Sequence, residues 1–188
     1  LLTSLPIAGI LLLSACTDAG HEDPMAAQHR EMMVADSTAK ADMAAQQAAV
    51  NAMTDMFNTG STDGMDKYMT DNFTDHQQDT AIKATGMEGA KAMIAMVRTA
   101  FPDFKQEIVG MSTTGDHTYA QVHMTGTNSG AWGTTMPATG KTMDVMGCDV
   151  FRCENGKVAE HWGYMEEMKM MQQLGMMPAP GAMPAKKK

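Results

Sequence analysis

At 188 residues the chain has room for one domain of about 130 residues plus tails, enough to bury a core but not two of them. Acidic residues outnumber basic ones, 22 Asp+Glu against 14 Lys+Arg for a formal charge of −8, and three of the cations sit together in Lys186-Lys187-Lys188. An acidic surface of this kind excludes nucleic acid as a partner, because neutralising a phosphate backbone needs a basic face.

The first apolar run, Leu5 to Leu13, is interrupted only by Pro6 and Gly9 and leads into Leu13-Ser14-Ala15-Cys16. It is too short to span a bilayer as a helix and reads as a secretory signal over residues 1–15. The tetrad resembles the lipobox of bacterial lipoproteins. That resemblance implies that Cys16 is lipidated and becomes the mature N-terminus, and that the domain lies outside the cytoplasm, held to the membrane by its lipid anchor alone. The basic segment that completes such a signal is expected upstream of Leu1; an ordinary signal with a chance cysteine is the alternative. Residues 16–42 are polar and alanine-rich without a sustained apolar stripe, and read as a tether, flexible or partly helical.

The folded domain is expected over residues 43–175, with residues 176–188 as a flexible tail. Ala44, Ala48, Val50, Met53, Met56 and Phe57 recur at helical spacing, and Thr59-Gly60 ends that helix. A second short helix is predicted around Asp63 to Met69, then a brief extended segment from Phe73 to His76. Gly86 to Phe101 forms the third helix, with Met93, Ile94, Met96, Val97 and Phe101 as its apolar stripe and Pro102 as its stop. Four strands follow, at about Lys105–Thr113, Thr118–Asn128, Thr142–Cys153 and Lys157–Tyr164. Gly115-Asp116 turns the first pair, and Asn155-Gly156, which tolerates positive φ, turns the last. Simple alternation puts Val158, Glu160, Trp162 and Tyr164 on one face of the last strand and Ala159, His161 and Gly163 on the other. Glu166 and Glu167 read either as site residues or as the first turn of a closing helix, where the dipole favours acids. Helices first and antiparallel strands afterwards define an α+β architecture.

Methionine is far over-represented, with 23 residues. Met93, Met96, Met124, Met170 and Met171 stand where leucine or isoleucine would serve, which is core use of an adaptable side chain. Thioethers also suit Cu(I), and Met165, Met168, Met170, Met171, Met176 and Met177 cluster, so a copper-binding lipoprotein is a remote alternative. Cys148 and Cys153 are five apart on one strand, so they face opposite ways about 16 Å apart, out of disulfide reach and mostly buried. His21, His29, His76, His117, His123 and His161 show no spacing that suggests Zn²⁺, and no phosphate loop or serine nucleophile elbow is present. No metal or other cofactor is expected.

Eight segments occur in order between Ala48 and Gly175: Phe57-Asn58-Thr59-Gly60, Phe73-Thr74-Asp75-His76, Gly86-Met87-Glu88-Gly89, Ala100-Phe101-Pro102-Asp103, Thr125-Gly126-Thr127, Pro137-Ala138-Thr139-Gly140-Lys141, the hairpin with Glu160-His161-Trp162, and Gln172-Gln173-Leu174-Gly175. In that order they resemble the SnoaL-like polyketide cyclases, or ester cyclases, of the NTF2-like superfamily. The resemblance implies an α+β cone: a curved antiparallel sheet covered by about three N-terminal helices, with a pocket between them. It also implies a cofactor-free intramolecular aldol condensation, in which a carboxyl group takes a proton next to a carbonyl and a donor holds the oxyanion.

On that reading the catalytic candidates are His76, Asp149, His161 and Glu166, and the ligand-binding candidates are Asp75, Trp132, Trp162 and Tyr164. Relatives often carry Asp or Gly after Glu-His-Trp and a second Asp three residues later; here those positions are Gly163 and Glu166, and Asn128 stands where relatives commonly carry His. Each candidate also has a plainer reading. His161 could hydrogen-bond a neighbouring strand, Asp149 could pair with Arg152, Asp75-His76 could close a turn, and His123 could be a strand-face group. The function expected is acid/base chemistry on a small apolar or carbonyl-bearing molecule, in a chain that is a candidate homodimer. The alternative is a non-catalytic ligand-binding or scaffold module built on the same cone.

Overall fold

A computed structural model describes residues 23–134 and 136–178 of the chain. The expected signal segment, Cys16 and the end of the tail lie outside these residues. The described residues divide into two compact units, with the boundary between residues 37 and 38.

The elements in order are α1 (Pro24–Thr59), a 3-10 turn at Met65–Lys67, β1 (Met69–Asp75), α2 (Gly86–Ala100), β2 (Lys105–Thr114), β3 (His117–Thr127), β4 (Thr142–Glu154), β5 (Lys157–Met165) and α3 (Glu167–Gln173). Helix α1 starts at Pro24, a residue suited to a first helical turn, and not near Met43. Residues 24–42, read from sequence as a tether, are therefore helical. Alanine-rich composition accounts for this, since alanine is the strongest helix former even where nothing is buried. Within the second unit α1 turns Ala49, Val50, Met53 and Met56 inward. It is tied to the sheet by Gln46 Nε2 donating to Gly115 O at 3.0 Å and Gln47 Nε2 donating to Thr113 Oγ1 at 3.3 Å. Among the described residues no helix is long and apolar enough to cross a membrane.

The five strands form one curved, unclosed sheet in the order β1-β5-β4-β3-β2. All neighbours are antiparallel except β1, which runs parallel to β5. The Phe73–His76 segment predicted from sequence is thus the end of an edge strand. Asn155 and Gly156 both take left-handed backbone angles, φ 50° and 75°, as the two-residue turn of the β4–β5 hairpin requires.

Just beyond that turn the register slips: Arg152 pairs with Glu160 but Cys153 pairs with Val158, leaving Ala159 as an extra residue. This bulge corrects the simple alternation. Val158 lies on the inner face with His161, while Glu160 and Trp162 lie on the outer face. The inner face carries Ala120, Val122, Met124, Val145, Phe151, Cys153 and Val158, packed against Met53, Met56, Met65, Met69, Ile94, Val97 and Phe101. Cys153 is buried, as expected for that face, but Cys148 on the outer face is exposed.

Between β3 and β4 the chain is knotted by Asn128, which is fully buried. Its side chain donates to Gly130 O and Ala100 O and accepts from Thr139 N and Thr139 Oγ1. Its backbone oxygen accepts from Thr139 N and Gly140 N. Replacing Asn128 with alanine takes the partner from Gly130 O and from the Thr139 hydroxyl, each costing about 1–3 kcal/mol, while Ala100 O and Thr139 N keep backbone partners. Asn128→Ala is therefore expected to lose about 3 kcal/mol or more of stability. Urea denaturation with an unchanged midpoint would contradict this role.

Candidate functional site

The inner face of the sheet carries one cluster of ionisable groups. Asp75 ends β1, His161 is its register partner on β5, and Asp149 lies on β4 opposite Gly163. His161 stands between the two carboxylates. Its Nδ1 is 3.0 Å from Asp75 Oδ1 and its Nε2 is 3.5 Å from Asp149 Oδ1. The ring also stacks on Phe151, with centroids 5.0 Å apart. Side-chain exposure is 10% for Asp75, 16% for Asp149 and 21% for His161, so the cluster is sheltered without being sealed.

Two residues that sequence reasoning passed over hold Asp149 in place. Gln106, a buried polar residue on β2, donates from Nε2 to Asp149 Oδ2 at 3.0 Å. Its own backbone is gripped by Asn58 at the end of α1: Gln106 N donates to Asn58 Oδ1 at 2.7 Å, and Asn58 Nδ2 donates to Gln106 O at 2.9 Å. The available signal was a glutamine at an inward strand position between Phe104 and Ile108, where the alternation calls for an apolar side chain.

The electrostatics follow from this geometry. Burial pulls the His161 pKa down, but hydrogen bonds and charge from Asp149 and Asp75 outweigh it and push the pKa up to about 9. For Asp75, burial acts upward, yet the hydrogen bond and charge of His161, together with the backbone N–H of Gln77, hold its pKa below the ordinary carboxylate value. At neutral pH His161 is an imidazolium held between the side chains of Asp75 and Asp149. Both ring nitrogens are engaged as donors, so neither lone pair is free. Among the described residues no group of three or more His, Cys, Asp or Glu is arranged to hold a metal ion.

The other candidates lie elsewhere. His76, directly after Asp75, points to the outer face. Its Nε2 is 2.7 Å from Glu160 Oε2, and its ring stacks on Trp162 with centroids 4.4 Å apart and planes within 4°. Glu160 also accepts from Arg152 Nε at 2.6 Å, so Arg152 is taken by Glu160 and Glu154 and does not pair with Asp149. Tyr164 is exposed on that same outer face. Glu166 precedes α3 without capping it through its side chain; it accepts from Lys169 Nζ at 2.8 Å and Met146 N at 3.0 Å, which lowers its pKa, and the closing-helix reading describes it. Trp132 donates to Asp79 Oδ2 at 2.7 Å and packs edge-on against Phe101, joining two loops. His123 pairs with Asp144 at 2.9 Å on the strand face. The structure thus brings together Asp75, Asp149 and His161, and separates His76, Trp132, Trp162, Tyr164 and Glu166 from them.

A curved sheet with helices packed across its inner face defines an NTF2-like α+β domain. Residues 47–174 match SnoaL-like polyketide cyclase, and the chain belongs to that family. The chain is similar to a candidate polyketide cyclase from Bacillus cereus, with 25% identity over 71% of this chain and 82% of that one, at a TM-score of 0.60. TsrD from Streptomyces laurentii is similar at 24% identity, 71% and 97% coverage and a TM-score of 0.64. IdmH, a candidate polyketide cyclase from Streptomyces antibioticus, follows at 22% identity, 69% and 98% coverage and a TM-score of 0.59. No curated protein is a significant match to the sequence.

The raised pKa of His161 ties stability to pH. A group whose folded pKa lies above its unfolded value of 6.5 stabilises fully below that value and ceases to do so as pH rises through about 9. The shift corresponds to at most roughly 3 kcal/mol. Urea unfolding of the wild type and of His161→Gln should therefore differ most below pH 6.5, and the gap should close as pH rises past 9. A gap that stays constant from pH 6 to 10 contradicts the charged cluster.

Proposed function

We propose that the chain is a cofactor-free acid/base catalyst acting on a small carbonyl-bearing molecule, with Asp149 and His161 at the reactive centre. The observation that carries this reading is the pair formed by His161 Nε2 and Asp149 Oδ1. They are a donor and an acceptor 3.5 Å apart, and a side chain at Gly163 would begin 3.2–3.5 Å from the His161 ring and Asp149 Oδ1. Glycine is what lets the imidazole and the Asp149 side chain lie side by side there.

In the proposed step, Asp149 Oδ1 takes a proton from the carbon next to the substrate carbonyl, and the C–H electron pair moves onto the carbonyl oxygen to form an enolate. The His161 imidazolium, protonated at neutral pH because its pKa is about 9, donates from Nε2 to that oxygen. Asp75 keeps the ring oriented through Nδ1. The enolate carbon attacks a second carbonyl of the same molecule, and the proton on Asp149 passes to the new alkoxide. The base is regenerated and no redox change occurs.

Deuterium incorporation into a panel of aryl ketones, followed by NMR, tests this. The wild type should accelerate exchange over buffer, and Asp149→Asn should reduce that acceleration by about 10²- to 10⁴-fold. Acceleration should also decline as pH rises through about 9, where His161 loses its proton. An Asp149→Asn protein as fast as the wild type removes Asp149 as the base.

A second reading, a hydrophobic-ligand-binding or scaffold module without chemistry, draws on a different observation. The inner face is filled by methionine, valine and phenylalanine. Among the described residues the two best-formed concavities are open surface grooves elsewhere, one along Met165–Gln172 and one on α1 near Arg30. Thermal-shift screening with apolar and carbonyl ligands separates the two readings: binding without exchange favours the module.

The partners proposed are that small molecule, a second copy of the chain, and the membrane through a lipid on Cys16, with the domain on the extracytoplasmic side. Expressed behind a lipoprotein leader in cells fed an alkyne fatty acid, the protein should take up label, and Cys16→Ser should not.

A further inference from the structure

Among the described methionines, nine are half-buried, and the two extremes on either side of them differ in what they can do. Of the 23, six are core residues no more than 7% exposed: Met53, Met56, Met65, Met69, Met124 and Met143. Seven others are between 40% and 77% exposed: Met25, Met32, Met33 and Met43 on α1, Met165 and Met168 near α3, and Met177. By contrast, residues 23–178 contain a single leucine, Leu174, and it is buried. Methionine thus takes the place of leucine in the core, which does not account for the seven that stand in water. An apolar side chain that stays in water contributes no burial energy, and alanine or lysine would serve the exposed face of α1 better on propensity and solubility. What methionine adds at such a site is an accessible thioether sulfur.

We propose that these seven side chains are independent oxidant-consuming sites, an activity separate from the Asp149–His161 site, whose substrates are hypohalous acids. The sulfur lone pair attacks the chlorine of hypochlorous acid, the Cl–O bond breaks and hydroxide leaves. Water then adds to the chlorosulfonium, chloride departs and two protons are lost, one of which the hydroxide takes up. The net change is thioether plus hypochlorous acid to sulfoxide plus chloride and a proton: sulfur gives up two electrons, and chlorine takes them. The product is polar and reducible by sulfoxide reductases. Sulfoxide in a core disrupts packing, whereas at a position already in water it displaces nothing. Placement of the exposed set outside the core is what lets the fold survive the reaction. The buried set, shielded under the sheet and helices, is spared.

The test uses the full chain with accessible thiols alkylated beforehand, because Cys148 is exposed and competes for oxidant. Hypochlorite is added in sub-stoichiometric steps, with peptide mass spectrometry locating the sulfoxides and thermal melting following the fold. The expected result is sulfoxide at Met25, Met32, Met33, Met43, Met165, Met168 and Met177 before any of the six buried methionines, with the melting temperature unchanged over that interval. A variant with all seven changed to leucine, a volume-conserving swap, should melt as the wild type does. It should consume seven fewer equivalents before an oxidant-sensitive bystander enzyme loses activity. Two results overturn the proposal: early sulfoxides in the buried set or an early fall in melting temperature, which need no variant to observe, and equal protection of the bystander by the leucine variant.

Discussion

The sheet depends on a clamp at its weakest seam. Strand β1 is an edge strand, the only one paired in parallel, and its register with β5 slips between Met69 and Thr74. What fixes its far end is a pair of consecutive residues reaching to opposite faces of β5. Asp75 holds His161 on the inside, while His76 holds Glu160 and stacks on Trp162 on the outside. The His76 N–H donates to His161 O at 2.9 Å between them. One acid–imidazole pair is thus mirrored by another across the sheet, and neither face can slide without breaking both.

The same clamp sets the electrostatics of the inner cluster. Because Asp75 is spent on orienting His161, the second carboxylate must come from another strand, and Asp149 supplies it from β4 opposite Gly163. The chain Asn58–Gln106–Asp149–His161–Asp75 then runs from the end of α1 across β2, β4 and β5 to β1. Each link satisfies a polar group that would be costly to leave unpaired in a sheltered place. The outcome is an imidazolium at neutral pH, which suits holding a developing oxyanion and not taking a proton. A carboxylate with a raised pKa, the feature such chemistry calls for at first sight, is not what Asp75 provides: its charged form is favoured.

Methionine packing gives the interior its character. Unbranched thioethers fill the space between the curved sheet and the helices where shaped aliphatic residues would need closer complementarity. The fold itself hosts unrelated activities in general, so the functional reading rests on the cluster and not on the architecture.

Much of this was written in the chain. The i, i+3, i+4 stripe of Val50, Met53 and Met56, the stop at Pro102, the alternation of the four later strands and the Asn155-Gly156 turn are local signals, set by backbone sterics and burial between near neighbours, and the α+β cone follows from them. The sequence also offered Asp75, Asp149 and His161 as site residues, alongside His76, Glu166, Trp132, Trp162 and Tyr164. It did not reveal that His76 faces away from them, because a single residue reverses the face on a strand, nor that Val158 joins His161, because the Ala159 bulge is decided by pairing with β4. Gln106 and Asn58 were invisible as a pair because they lie 48 positions apart and meet only when α1 closes over β2. Local physics chose the elements; the contacts between distant strands chose which titratable groups would share one charge.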